Sequence, residues 1–183
     1  SNDSLSEDEI RLIEEDRADL LTKASVNAVE PSGGSGANTI AGIASLGGKG
    51  AYVGKVADDR LGKVFKSDME EGGVMINTAP LSEGPATARS IIFVTPDGKR
   101  SMNTFLGASV EFSPEDVDRA IVEAGGILYL EGYLFDKDAA KAAFVHAAEI
   151  AHAAGRKVSL TLSDSFCVDR HRDSFRQLIR TQV

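Results

Sequence analysis

Only one cysteine stands in this sequence, Cys167, so no disulfide can close within the chain. As a lone thiol it reads as a packing residue rather than a nucleophile. Positive charge is in the minority, with 20 Lys and Arg against 28 Asp and Glu. The resulting formal charge of −8 excludes nucleic acid as the main partner, since phosphate backbones are bound by clustered cations. No apolar run has membrane length and none resembles a secretory leader, so a cytoplasmic protein with no membrane partner is expected. Of the 3 histidines, His146 and His152 fall off a common helical face and His171 stands alone, so no metal site is expected. No Ser-His-Asp or Cys-His arrangement can be argued from spacing, and there is no repeat or low-complexity tract. A chain of 183 residues with 42% hydrophobic content can build one domain with a real core, and a small soluble ligand is the default partner.

What is present is organised around Ser32-Gly33-Gly34-Ser35-Gly36-Ala37-Asn38, a glycine loop feeding a helix. Glycines there permit backbone conformations closed to other residues and allow a ligand close to the main chain. The first-turn amides beyond them have no partner inside the helix and can serve hydroxyl or anionic groups, with the Asn38 amide beside them. The loop is not a dinucleotide fingerprint, because Thr39 stands where a glycine is needed and no buried strand precedes it. It is not a phosphate-binding P-loop either: Ile43 and Gly50 break the required pattern around Gly48-Lys49. A flexible linker is the plain alternative.

In chain order, Ser6-Glu7-Asp8-Glu9 has a capping-box pattern, and Ile10, Ile13, Leu20 and Leu21 predict a helix ending near Ala24. A helix from about Thr39 should stop at Gly47-Gly48, followed by a strand over Ala51–Gly54 and a helix opened by Asp58-Asp59 and ended by Gly72-Gly73. Strand, helix and strand point to a parallel sheet. That rhythm breaks at residues 86–106, where two strands around Pro96-Asp97-Gly98 spell a hairpin, with Met75-Ile76-Asn77 as a candidate neighbour. Such an insertion reads as a flap over a site. Ser113-Pro114-Glu115-Asp116 predicts a helix start. Beyond it come a buried strand Ile127–Glu131, an alanine-rich helix from Asp136 to Ala154, a strand Lys157–Leu162 and a last helix from Asp169 to about Arg180.

Gly33-Gly34-Ser35-Gly36-Ala37-Asn38, Leu46-Gly47-Gly48 and Tyr52-Val53-Gly54-Lys55-Val56-Ala57-Asp58-Asp59-Arg60-Leu61-Gly62 closely resemble the first signature region of the ribokinase-like (PfkB-type) carbohydrate and nucleoside kinases. Arg100-Ser101-Met102-Asn103-Thr104 and Thr161–Cys167 look most like bacterial adenosine kinase-like proteins. Three positions depart from the family pattern: Ala57 for glycine, Ile40 for a small residue, and Ser35 where ribokinases often carry lysine. The resemblance implies an α/β fold, a Rossmann-like, mostly parallel sheet flanked by helices with a small β-hairpin lid, here as one partial domain over 1–183 with the lid inserted at about 75–108. It also implies that Gly33, Gly34 and Asn38 contact sugar hydroxyls and that Glu131 holds the sugar from the end of a central strand. Read from the residues alone, Glu131 could equally be a strand-end carboxylate in a local ion pair.

The family's Asp-Thr-x-Gly-Ala-Gly-Asp motif, tied to the base and anion hole, is absent from the sequence, as is its first strand; the Asn-x-x-Glu pattern tied to magnesium occurs only as Asn27-Ala28-Val29-Glu30, ahead of the glycine loop and not in a catalytic half. The chain therefore reads as the substrate-and-lid half of a sugar or nucleoside kinase. The resemblance implies ATP and Mg2+ for the full-length parent, no catalytic residue within these positions, and an inactive chain in isolation. An alternative is a non-catalytic module that binds a small ligand or oligomerises. An exposed hairpin or sheet edge near Thr161 would invite self-association.

Overall fold

The computed structural model describes residues 10–183. The capping-box residues Ser6–Glu9 lie outside them. The chain runs β1 (Ile10–Leu12), α1 (Glu15–Ala24), α2 (Ser35–Ser45), β2 (Gly50–Tyr52), α3 (Arg60–Glu71), β3 (Val74–Ile76), β4 (Arg89–Val94), β5 (Arg100–Phe105), α4 (Arg119–Ala124), β6 (Ile127–Glu131), α5 (Asp138–Ala153), β7 (Lys157–Thr161) and α6 (Ser165–Gln182). It is an α/β fold. Two parallel pairs, β2 with β3 and β6 with β7, share no backbone ladder among the described residues. The third sheet has the order β1-β5-β4, with the antiparallel β4–β5 hairpin in register Arg89 to Phe105 and Val94 to Arg100.

Four sequence expectations are corrected. Ile10–Leu12 is not helical but pairs in parallel with β5, because a neighbouring strand offers Ile10 and Leu12 a ladder that their place in a helical pattern cannot reveal. Helix α1 consequently starts only at Glu15. Met75 and Ile76 lie in β3, beside β2 rather than beside the hairpin, and their alternation buries Val74 and Ile76 against α2 and α3. At Pro114–Asp116 the capping box forms as expected, but the helix is a single 3-10 turn, and α4 begins afresh under the Asp118 cap. The last helix begins earlier than expected, at Ser165, capped by Asp164, and departs from helical geometry at His171.

The main core sits between β6–β7 and the helices α5 and α6. Alanines at three- and four-residue spacing give α5 a narrow buried face, Ala140, Ala143, Ala147 and Ala151, which lets it pack closely. Phe135, Phe144 and Phe175 fill the space beyond, with Phe135 and Phe175 stacked at 4.4 Å. Full burial of one such ring stabilises by about 1.5–3 kcal/mol. A second core joins Ala37, Met69, Val74 and Ile76 to Tyr52 and Phe65. The hairpin sheet is covered on one face by α1, where Arg89 pairs with Asp19 and Asn103 is buried, while Ile10, Leu12, Ile92 and Val94 remain exposed on the other.

Candidate functional site

Helix α2 begins four residues earlier than the sequence suggested. Gly34, at φ +101°, turns the chain into it, a conformation that L side chains rarely adopt, and the Asn38 N–H makes the first helical bond to the Gly34 carbonyl at 2.8 Å. The amides of Ser35, Gly36 and Ala37 therefore precede the first helical bond and are the group that could face a ligand. Burial of Ala37 against Met69 and Val74 fixes the rotation of the helix. That rotation sets Gly36 against the end of β6: a Cβ there would stand 3.7 Å from Glu131 Cβ and 3.8 Å from the Tyr52 ring.

Glu131 is held by its neighbours. The Ser163 hydroxyl donates to its carboxylate, from a backbone in the left-handed region (φ +68°) that is rare for serine. The Thr161 hydroxyl accepts from the Ser163 amide at 3.2 Å. Gly132 makes this approach possible, since a Cβ there would come within 2.6 Å of the Thr161 carbonyl oxygen. A carboxylate is an acceptor-only group with room for more than one donor, so the hydroxyl bond to Ser163 leaves capacity for ligand hydroxyls. Burial, and then the charge of Glu131, pushes the Tyr52 phenol above its ordinary range, which keeps it neutral beside the carboxylate.

Of the residues singled out from the sequence, Gly33 and Asn38 line one cavity of about 290 Å³, closed by Asp68 and Met69 from α3, with the Ser32 hydroxyl donating to Asp68. Glu131 instead meets the loop at Gly36 and Tyr52. Gly34 serves as the turn between loop and helix. Sequence reasoning did not select Tyr52 or Ser163, although both fall in the quoted motifs. Their relevance depends on the three-dimensional approach of β2, β6 and the residues after β7. Cys167 is fully buried, its Sγ donates to the Gly132 carbonyl at 3.1 Å, and burial followed by the charge of Asp136 pushes the thiol up, away from a nucleophile.

Asp59 ties this region to the hairpin. Its carboxylate accepts from the Gly62 amide at 2.7 Å, the Thr87 amide at 2.8 Å and the Thr87 hydroxyl at 2.7 Å. Burial is the largest single influence and opposes ionisation, but these three donors and Arg89 outweigh it and hold the carboxyl below the usual range.

The profile of the pfkB family carbohydrate kinases matches residues 2–182. The chain belongs to that family. Among solved structures, the family fold is shared with adenosine kinase from Sinorhizobium meliloti, 54% identical with a TM-score of 0.90, covering 97% of this chain and 54% of that one. A probable sugar kinase from Rhizobium etli CFN 42 is 51% identical, also at 0.90 and over the same shares. Fructokinase from Solanum tuberosum is 25% identical over 69% of this chain and 40% of its own length. The pfkB chain thus spans about half of the solved relatives and less of the curated one.

Kinases of this kind imply ATP and a divalent cation. Among the described residues no group of three or more His, Cys, Asp or Glu stands together to hold a metal, and the sequence lacks the Asp-Thr-x-Gly-Ala-Gly-Asp motif. These residues do not fit either group. What the arrangement offers chemically is backbone amide donors and a carboxyl group to a hydroxyl-bearing molecule.

Proposed function

We propose that these residues form the acceptor-binding and lid half of an ATP-dependent kinase that transfers phosphate to a primary hydroxyl of a sugar or nucleoside, with adenosine- or ribose-like acceptors first in line. The observation that carries this reading is the placement of the glycine-loop helix start against Glu131, amide donors on one side and a carboxyl group on the other. A neutral polyol needs both kinds of partner. Gly33, Gly34, Asn38 and Glu131 are the proposed contacts. The 54% identity with an adenosine kinase and 51% with a probable sugar kinase support the same class of acceptor.

In this reading the lid is the β4–β5 hairpin within the interval 75–108, extended by β1 along β5 and hinged where Asp59 holds Thr87, and the exposed Ile10, Leu12, Ile92 and Val94 give that sheet an apolar face that can exclude water. Phosphoryl transfer depends on positioning and electrostatic stabilisation. These residues supply the positioning of the acceptor only. Full-length enzyme carrying them should phosphorylate at least one of adenosine, ribose or fructose with ATP, and the 183-residue chain alone should phosphorylate none. Turnover by the isolated chain, or none by the full-length enzyme, would refute the reading.

A further inference from the structure

Lys55 and Asp116 are 61 residues apart in sequence, yet the ammonium donates to the Asp116 carboxylate at 2.6 Å, with the two side chains only 14% and 10% exposed. The other carboxylate oxygen accepts from the Ser113 amide at 2.9 Å, so Asp116 is fixed in its own turn. That turn packs against α5, and α5 packs against β6, the strand that ends in Glu131. On the other side, the backbone at Gly54 lies on the Tyr52 ring, where a Cβ would stand 2.7 Å from the hydroxyl oxygen. The Tyr52 ring in turn lies 3.8 Å from where a Cβ on Gly36 would stand. The two parallel strand pairs have no ladder between them among the described residues. The ion pair therefore spans a junction that backbone hydrogen bonds leave open.

We propose that Lys55 and Asp116 are positioning residues that set the separation of the glycine-loop helix start from Glu131, and so the acceptor affinity of the kinase. The proposal rests on the reading that the acceptor binds where the helix start meets Glu131. Removing one partner would leave a buried unpaired charge, whereas replacing both by apolar residues of similar size is often neutral for stability. The double variant Lys55→Met/Asp116→Leu therefore separates folding from positioning. A fixed-length, directional contact is replaced by a compliant one, and small misplacements at a reacting centre are costly.

The test uses full-length enzyme and reads KM for the acceptor, KM for ATP and the melting temperature. The double variant should fold but melt somewhat below wild type, because Asp116→Leu also removes the acceptor of the Ser113 amide, with acceptor KM raised by about tenfold and ATP KM changed little. Unchanged acceptor KM in a folded variant would overturn the proposal, as would equal rises in both KM values. If the apolar pair does not fold, Lys55→Met/Asp116→Asn, which removes the ion pair but keeps an oxygen for the Ser113 amide, gives the same comparison with the same outcomes. A wild-type enzyme inactive on adenosine, ribose and fructose would instead overturn the functional reading itself, and this inference with it.

Discussion

Replacing Gly36 by alanine separates a ligand-facing glycine from one needed by the fold. The added methyl would stand 3.7 Å from Glu131 Cβ, 3.8 Å from its Cγ and 3.8 Å from Tyr52 Cε2, ordinary van der Waals distances. Gly36 lies in the first turn of α2 and has no positive φ, so alanine should fit without strain. Reduced freedom of the unfolded chain should make the variant up to about 0.5–1 kcal/mol more stable. The same methyl occupies the space between the loop amides and Glu131. Crowding of a packed site costs roughly 1–3 kcal/mol. Acceptor affinity should therefore fall by roughly five- to 150-fold. Calorimetric titration of the full-length enzyme with adenosine and with fructose, beside thermal melting, measures both effects. A variant as stable as wild type that binds equally well would refute the placement of the acceptor against Gly36.

Amide exchange over Arg89–Phe105 should be faster than over Ile127–Glu131 and should slow when acceptor binds the full-length enzyme; equal protection in both regions, with and without ligand, would count against a moving lid. Asp59, held below the ordinary aspartate value of about 3.9, contributes stability above that value and loses it as the pH falls through its lower folded value. Melting temperature should therefore drop on acidification below about pH 4, and the drop should be smaller in Asp59→Asn. A drop of the same size in that variant would show that other carboxylates dominate.

Much of the layout was legible because local chemistry and final structure agree. The hairpin around Pro96-Asp97-Gly98, the strand Ile127–Glu131 and the Asp59 cap each carry their signal within a few residues. Ile10–Leu12 was misread because its partner, β5, lies about ninety residues away and its own pattern also suits a helix. The turn at Pro114 was overextended because Ser113 and Asp116 satisfy a capping box whether or not a full helix follows. At the site, the loop and Glu131 were named from the sequence, but the contact is made through Gly36, Tyr52 and Ser163. Helix rotation, set by burial of Ala37, decides which loop residue faces the carboxylate, and rotation is a property of tertiary packing.

The central claim is that Glu131 receives acceptor hydroxyls. Glu131→Gln keeps the size and an acceptor for Ser163 but removes the charge. Calorimetric titration of the full-length enzyme with the acceptor it phosphorylates should show binding weakened by about 1–1.5 kcal/mol, roughly five- to tenfold. An unchanged dissociation constant in a folded Glu131→Gln enzyme would contradict the account.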